Sequence, residues 1–270
     1  MPNRERSLRV EAIVLRHMDW GEADRLLWLF TRELGKVRVV AKGVRKLHSR
    51  KAGHLEPFTR AGLLLARGRE MMIVTQAEAQ NTFPMLRENL LHLGYASYVV
   101  ELLDRFTYEE GQNIPLYRLL ADTLSRLCTE PDSSLVVRYY EIRLLDLLGF
   151  RPQLFQCVQC GNEIQPEAQY FSAAQGGVLC PSCGANAPGA RPISMHALKY
   201  LRHYQRSSYT EAKRAHPEPA HYREMELLVQ YYLTYLLERG LNSPEFLRRV
   251  KMELSGGEQS KGETPAGPSG

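Results

Sequence analysis

Four cysteines arranged as two pairs place the strongest constraint on what this chain can fold into. They form CVQC at 157–160 and CPSC at 180–183, which gives the spacing C-x2-C-x19-C-x2-C. A two-residue gap lets both thiolates of a knuckle turn toward one ion, and two knuckles complete the tetrahedral shell of a structural zinc. Gly161 and Gly184 follow the knuckles, where glycine eases a tight turn. The pattern predicts one structural Zn²⁺ held by Cys157, Cys160, Cys180 and Cys183.

Other chemistry for these cysteines is less consistent with the rest of the sequence. Disulfides need an oxidising compartment, and the absence of a signal peptide argues against one. A redox CxxC motif of the thioredoxin type sits in a βαβ context that is not seen here. A catalytic zinc keeps an open fourth position, which four thiolates would close. We therefore expect a structural ion, with Cys128 as an ordinary core residue.

Length and hydrophobicity indicate a globular chain. Its 270 residues with 44% hydrophobic content can fill a sizeable core. No run approaches 18 consecutive apolar residues, and the start, MPNRERSLRVEAIVLR, scatters charges through its hydrophobic part. The prediction is a soluble, unexported, cytoplasmic protein that would be associated with the nucleoid if it binds DNA.

The first 80 residues have the pattern of strands joined by short turns. LRVEAIVL and GKVRVVAKG alternate polar and apolar residues, and RLLWLFT is an apolar run rich in β-formers. Two more strands are predicted within LEPFTRAGLLLA and EMMIVTQAE. Five strands in about 75 residues predict a small closed or nearly closed barrel of OB-fold size over residues 1–80.

From residue 84 onward the hydrophobic period becomes helical. PMLRENLLHLGYASYVVELLDRF predicts one long helix, and DSSLVVRYYEIRLLDLLGF predicts another that is capped by Asp132 or Ser133. After the cysteines, helices resume from Ser194, and a final one is stopped by Gly240.

The predicted fold class is therefore α+β and multidomain. An OB-fold β-barrel at the amino terminus is followed by an α-helical domain over residues 81–254, with a four-cysteine zinc module inserted at 155–190. Residues 255–270 are rich in Gly and Pro with nothing to bury, and they are expected to form a disordered tail.

Charge is distributed unevenly along the chain. The formal net charge is +5, yet residues 1–80 hold 16 Lys and Arg against 9 Asp and Glu. The remaining 190 residues hold 19 against 21. All of the positive excess thus lies in the predicted barrel, as expected if that part contacts nucleic acid.

The basic residues concentrate in residues 34–55, LGKVRVVAKGVRKLHSRKAGHL, which contain seven Lys or Arg and no Asp or Glu. On a strand, Lys36, Arg38 and Lys42 point to one side. Val37 and Val39, which alternate with them, point to the core. The other cations continue into a loop that contains Gly and Ser. The predicted DNA-binding residues are Lys36, Arg38, Lys42, Arg45, Lys46, Arg50 and Lys51.

Aromatic residues and strand edges leave two interpretations of this stretch open. Cationic grooves on OB-folds usually add aromatic platforms for bases, and Trp20, Trp28 and Phe58 are candidates. However, outward Lys and Arg are common on solvated strands and protect edge strands, and Trp28 and Phe58 also suit a barrel core. The unequal charge favours nucleic-acid binding.

Catalytic motifs are missing from the sequence. It contains no phosphate-binding G-x-x-x-x-G-K-[ST], no G-x-G-x-x-G, no H-E-x-x-H and no G-x-S-x-G. The eight histidines are scattered. Acidic pairs such as Glu22 with Asp24, or Glu101 with Asp104, are better explained as caps and helix surface than as Mg²⁺ ligands of a nuclease. We expect a binding protein without an enzyme's active site.

Short motifs in a fixed order give this pattern a family resemblance. They are Gly21-Glu22, Phe30-Thr31, Gly35-Lys36, Ala41-Lys42-Gly43 and Glu56-Pro57-Phe58-Thr59. With VVRYYEIRLLDLLGFRPQLFQCVQCG before the second knuckle and LNSPEFLRR near the end, they resemble the RecO family, bacterial recombination and repair mediators of the RecF pathway. The resemblance covers about residues 8 to 252.

The resemblance implies an OB-fold and a helical domain with an inserted zinc module. It also implies binding to single- and double-stranded DNA, annealing of complementary strands, and association with RecR and with the carboxy-terminal tail of single-stranded DNA-binding protein. Arg138 and Arg143 fall where the helical domain of the family meets that acidic tail. A metal-dependent DNA-processing enzyme and a zinc-containing interaction scaffold remain as alternatives.

Overall fold

The structure, a computed structural model, describes residues 7–109, 111–238, 241 and 243–259, with side chains as far as residue 253. The strands are β1 (Ser7–Trp20), β2 (Asp24–Thr31), β3 (Gly35–Ala41), β4 (Arg60–Arg67), β5 (Met72–Asn81), β6 (Gln169–Ser172), β7 (Gly177–Leu179) and β8 (Arg191–Ile193). The helices are α1 (Met85–Glu88), α2 (Leu90–Phe106), α3 (Ile114–Thr129), α4 (Ser133–Leu147), α5 (Pro181–Gly184), α6 (Met195–Arg206), α7 (Tyr209–Ala212), α8 (Pro219–Leu237) and α9 (Ser243–Gln259).

The first five strands close into a barrel in the order β1-β2-β3-β5-β4, which confirms the predicted architecture. β3 pairs with β5 in parallel, and the other neighbouring pairs are antiparallel. Val39 and Ala41 of β3 are fully buried inside the barrel. The alternation predicted for this strand is therefore confirmed, with its cations on the outer side.

The barrel and the helices share a continuous hydrophobic core. Ile13 and Phe30, on the outer face of the barrel, pack in the same cluster as Leu102 and Leu103 of α2. All four side chains are at most 1% exposed. This apolar contact fixes the end of α2 against the strands that carry the basic residues.

The long helix predicted from residue 84 to 106 is wrong in one respect, because it is interrupted at Asn89. Asn89 has an extended backbone with φ of −130° and ψ of 123°. Its side chain accepts hydrogen bonds from the backbone N–H groups of Leu91 and His92. An asparagine in this conformation caps the following helix, so the chain forms α1 and then α2.

The other predicted helix starts are confirmed by their caps. The Asp132 carboxylate accepts from the Leu135 N–H at 3.0 Å, and the Ser194 hydroxyl accepts from the Ala197 N–H at 3.1 Å. α8 ends at Leu237 and is followed by Glu238 in a left-handed conformation, while Gly240 lies outside the described residues. α9 extends past residue 255, where the disordered tail was predicted to begin, and residues 260–270 lie outside the described part of the chain.

The cysteine-bearing insert contains a small sheet in the order β7-β6-β8 that packs against the helices. Phe171 of β6 meets Tyr232 of α8 edge to face, with ring centroids 5.4 Å apart. Arg202 and Gln205 of α6 donate side-chain hydrogen bonds to backbone carbonyls of the segment between α4 and the first knuckle. The insert is therefore part of the helical core.

Two glycines with similar backbone conformations provide a test of the contact between barrel and helices. Gly35 has φ of +68°, and a Cβ there would lie 1.9 Å from the carbonyl oxygen of Gly111. Gly21 has φ of +58°, but its Cβ would meet nothing within 4 Å. We expect Gly35→Ala to lower the free energy of unfolding by about 2–4 kcal/mol through strain and overpacking. Gly21→Ala is expected to lower it by about 1 kcal/mol through strain alone.

Urea denaturation of the two variants and the wild type measures this difference. Equal losses for the two variants would show that the close approach at Gly35 relaxes without cost.

Candidate nucleic-acid interface and metal centre

The basic loop, residues 42–51, is anchored to the turn between β1 and β2. Gly43 opens the loop with φ of +65°, and its N–H donates to Asp24 Oδ1 at 2.7 Å. The Arg45 N–H donates to the Ala23 carbonyl at 2.9 Å, and the side chain of Val44 is buried. The backbone at the start of the loop is thus fixed by the strands while most of its side chains face outward.

Three cations of the basic loop are open to solvent. Lys42, Lys46 and Arg50 are exposed, and within the described part of the chain none of their side chains makes a hydrogen bond or ion pair. Lys46 and Arg50 line an open groove of about 450 Å³. Leu47, in the same groove, is 94% exposed. Cations without a protein partner can bind phosphates without breaking an existing ion pair.

Two further basic residues bind the loop to the barrel. Arg45 pairs with Asp19 at 3.2 Å and donates to the Gly21 carbonyl at 3.2 Å. The Lys51 ammonium donates to the carbonyls of Lys42 and Val74, each at 3.0 Å. Partial burial lowers the pKa of Lys51, opposed by the nearby charge of an aspartate. These two side chains hold the shape of the loop.

Lys36 and Arg38 form ion pairs with the helical domain, and Arg38 stays half exposed while Lys36 is shielded from solvent. The Lys36 ammonium lies 2.7 Å from Asp104 Oδ1 and donates to the Thr107 carbonyl at 3.0 Å. Its side chain is only 11% exposed. Arg38 Nε lies 2.5 Å from Glu109 Oε1. The carboxylates that neutralise these two cations come from α2 and the chain after it.

The seven predicted DNA-binding residues are thus brought together but not equally available. The partners Asp104 and Glu109 are 68 and 71 residues away in sequence from Lys36 and Arg38 respectively. The lack of acidic residues within residues 34–55 gave no signal of this pairing. Contact of these residues with DNA stays a prediction, and the structure favours Lys42, Lys46 and Arg50 for it.

The three aromatic residues considered as base platforms differ in accessibility. The Arg16 guanidinium lies 3.5 Å from the ring centroid of Trp28, which also packs against the main core. Phe58 is 8% exposed. Trp20, at the end of β1, is 47% exposed. Of the three, Trp20 alone presents an open ring.

The two knuckles bring their four thiols into one cluster. The four Sγ atoms all lie within 4.8 Å of one another, and those of Cys160 and Cys180 are 3.9 Å apart. Among the described residues, this is the one group of three or more His, Cys, Asp or Glu side chains with the geometry to hold a metal ion. The donor set fits a metal that prefers sulfur in a tetrahedral arrangement.

Electrostatics also favour a cation at the centre of the cluster. Partial burial opposes ionisation of Cys157, but N–H donors of Cys160, Cys180 and Gln159 lower its pKa to about 6. Hydrogen bonding with the Cys180 thiol, followed by burial, raises the pKa of Cys183 to about 12. Neighbouring thiols therefore resist ionising together, and a bound divalent ion would supply the missing positive charge.

The glycines after the knuckles have different roles. Gly161 has φ of +76°, as expected for a tight turn. Gly184 closes the short helix α5, and a Cβ there would lie 2.4 Å from the Cβ of Tyr170. The prediction of a tight turn at Gly184 is therefore wrong. This position needs glycine for another reason, because β6 packs against it.

Arg138 and Arg143, predicted to bind a partner's tail, both lie on α4. Arg138 is 5% exposed and forms a salt bridge with the fully buried Glu141. Tyr98 donates to the same carboxylate, and burial raises the pKa of Glu141 to about 7. Arg143 pairs with Asp146 at 3.0 Å and is partly exposed. Both arginines thus have partners within the helical domain, and their contact with a tail stays a prediction.

Three of the four acidic residues considered as nuclease ligands, Asp24, Glu101 and Asp104, have structural partners. Asp24 accepts from the basic loop, and Asp104 pairs with Lys36. Glu101 accepts from the backbone N–H and the hydroxyl of Ser243 at the start of α9.

Within the described ranges, no helix is long and apolar enough to span a membrane.

Comparison with known proteins gives a consistent result over nearly the whole chain. A family model described as recombination protein O N terminal matches residues 6–83, and one described as recombination protein O C terminal matches residues 87–245. The DNA repair protein RecO of Roseiflexus sp. (strain RS-1) is 43% identical over 93% of this chain and 88% of that protein. That of Pelotomaculum thermopropionicum is 38% identical over 92% of this chain and 96% of that protein. That of Bacillus pumilus (strain SAFR-032) is 31% identical over 93% of this chain and 98% of that protein.

Metal content tests the four-cysteine centre directly. Protein purified with zinc in the medium is expected to contain about one zinc ion per chain by elemental analysis. Cys160→Ser should lose most of that metal because one of four ligands is gone, and it should unfold at a lower temperature. Cys128→Ser is the matched control, since this half-buried thiol lies outside the cluster. Full zinc content in Cys160→Ser would contradict the assignment.

Proposed function

Because the chain belongs to the RecO family of DNA repair proteins, we propose that it binds single- and double-stranded DNA through the basic loop and anneals complementary strands. The observation that carries this proposal is the set of three exposed, unpaired cations at 42, 46 and 50, grouped on one side of the barrel. These cations would neutralise phosphates and release the counterions condensed on the DNA, which is the main source of non-specific affinity for DNA.

Annealing requires no covalent step by the protein. Two strands repel each other through their phosphates, so a protein that neutralises phosphates lowers the barrier to their approach. Contacts to the phosphate backbone leave the base edges free to pair. The basic loop meets this requirement because its open cations sit on long flexible side chains above a fixed backbone. We accordingly propose a binding and annealing protein instead of a DNA-cutting enzyme.

We propose that the ion of the four-cysteine centre is Zn²⁺ and that its role is structural. Four thiolates leave no open coordination position for a substrate. The strands of the insert are only three or four residues long, so they gain stability from a bound ion. When bound, the ion would hold the two knuckles together and neutralise their thiolates.

We further propose that the chain acts as a recombination mediator with RecR and binds the acidic tail of single-stranded DNA-binding protein on its helical domain. Family membership supports both partners. Arg138 lines a cleft beside α9 together with Lys251, which pairs with Glu226 at 3.0 Å. Arg143, on the same helix, is partly exposed and is the more accessible of the two arginines.

DNA binding is tested by following the anisotropy of a fluorescent single-stranded oligonucleotide at about 50 and 200 mM salt. Contact with Z phosphates predicts a log-log slope near −0.7Z. Replacing Lys42, Lys46 and Arg50 together by Ala should weaken binding about ten-fold or more and reduce the slope by about 2, because roughly three contacts are lost. The same variant should anneal complementary strands more slowly.

The matched control removes three exposed cations of the helical domain, Arg118, Lys199 and Arg223. It has the same net charge as the loop variant and is expected to bind like the wild type. Equal weakening by the two triple variants would show that overall charge, and not the basic loop, attracts DNA. Shortening of end-labelled DNA with Mg²⁺ or Mn²⁺ would instead indicate a nuclease.

The mediator proposal is tested by annealing strands coated with single-stranded DNA-binding protein. Wild-type annealing should accelerate several-fold when RecR is added and should need the acidic tail of the coating protein. Arg143→Ala should slow annealing of coated strands while leaving bare strands unaffected, with Arg118→Ala as the control. Wild-type rates for Arg143→Ala on coated strands would reject its role, and rates independent of RecR would reject that partnership.

A further inference from the structure

The outer face of β1, β2 and β3 is covered by the helical domain at one end only. Cross-strand pairing places Trp28 between Arg16 and Arg38 on this face. Arg16 pairs with Asp104 at 2.7 Å, and Arg38 pairs with Glu109. This end of the face is therefore occupied by contacts within the protein, and its tryptophan lies beneath an arginine.

The other end of the same face exposes Met18. Two residues further along each strand, Met18 lies opposite Leu26, which in turn lies opposite Val40. The alternation of side chains places all three on the outer face, since their neighbours Leu27 and Val39 point into the barrel. Met18 is 47% exposed above the buried Leu26 and Val40. The exposed apolar surface at this end of the face is therefore Met18, two residues before Trp20 and the turn between β1 and β2.

Trp20 is the next residue on this face and borders the basic loop. It lies opposite Asp24, whose carboxylate accepts from the Gly43 N–H at the start of the loop. Arg45 donates to the carbonyl of Gly21, immediately after Trp20. Lys42 directly follows β3, the strand beside Asp24. An exposed ring, the exposed Met18 and the open cation of Lys42 at the start of the basic loop therefore lie at the same end of the barrel face.

This combination matches the chemistry of an unpaired nucleotide. The Trp20 side chain is 47% exposed and makes no hydrogen bond, ring contact or cation contact within the described residues. Base–aromatic stacking needs such a free ring, and phosphates need nearby cations. In a duplex both faces of each base are already stacked, so duplex DNA gains nothing from the ring.

Building on the proposed DNA-binding function, we propose that Trp20 is a stacking platform for an unpaired base of single-stranded DNA, with the adjacent phosphates bound by the basic loop. The indole contacts the π face of a base and leaves its pairing edge free, which is compatible with annealing. Trp20 would then give the protein a preference for single strands that charge alone does not provide.

The test compares three ligands of equal length and phosphate content per strand: a thymine oligonucleotide, an abasic oligonucleotide and a duplex. Trp20→Ala is expected to bind the thymine strand roughly ten-fold more weakly. Its affinity for the abasic strand and the duplex should stay within about two-fold of wild type, and its salt slope should not change. Trp20→Phe keeps a smaller ring and should recover part of the loss.

Intrinsic fluorescence reports on the same contact without depending on affinity. The chain has two tryptophans, and Trp28 is covered by Arg16. Saturation with the thymine strand should quench wild-type emission, whereas the abasic strand should not. The quenching should vanish in Trp20→Ala. Leu227→Ala, which removes a 52% exposed apolar side chain of α8 in the helical domain, is the control and should retain it.

The possible outcomes separate this proposal from the proposed function. If Trp20→Ala binds the thymine strand as tightly as wild type, or loses affinity equally for all three ligands, stacking is rejected while DNA binding stands. If wild-type protein shows no salt-dependent binding to any of the ligands, the proposed function itself fails and the stacking site fails with it.

Discussion

The ion pairs between Asp104 and two cations of the barrel decide which end of the barrel face is occupied by protein contacts. Asp104 lies 2.7 Å from both Lys36 and Arg16 at the junction of α2 with the barrel. Burial alone would raise the pKa of Asp104, but hydrogen bonds from Lys36 and Arg16 hold it below the usual range. Removing the Asp104 carboxylate would leave the largely buried Lys36 ammonium without its counter-charge, which is costly. This end of the barrel face is therefore committed to protein contacts.

Because protein contacts occupy one end of the barrel face, the opposite end is available to a ligand. Carboxylates neutralise the cations nearest the helices, whereas Lys42, Lys46 and Arg50 keep their charges open to solvent. The same boundary separates the two tryptophans, because Arg16 covers Trp28 but does not reach Trp20. Charge and aromatic surface thus become available together, at the basic loop and at the turn between β1 and β2, and the latter is a connection through which OB-folds commonly bind oligonucleotides.

The four-cysteine insert acts on a different part of the molecule. Its strands are short, and its aromatic residues pack against α6 and α8 in the helical core. A bound ion would hold the two knuckles in place. Because the contacts of Arg202 and Phe171 join the insert to the helices, the ion would also stabilise the packing of the helices. The insert supports the helical domain without contributing to the basic loop. Loss of metal should therefore destabilise the fold before it affects phosphate contacts.

Sequence alone determined the features that depend on neighbours along the chain. Cysteine spacing, strand alternation and the caps at Asp132 and Ser194 are local signals, and the structure confirms the cluster, the barrel and the helix starts. The cap at Asn89 was also local, but the apolar period around it concealed the break. Tertiary structure decided which cations are free, because Lys36 meets a carboxylate 68 residues away. It also decided that Trp20 stays exposed, since burial depends on what folds over a side chain, and no local pattern encodes a contact between distant segments.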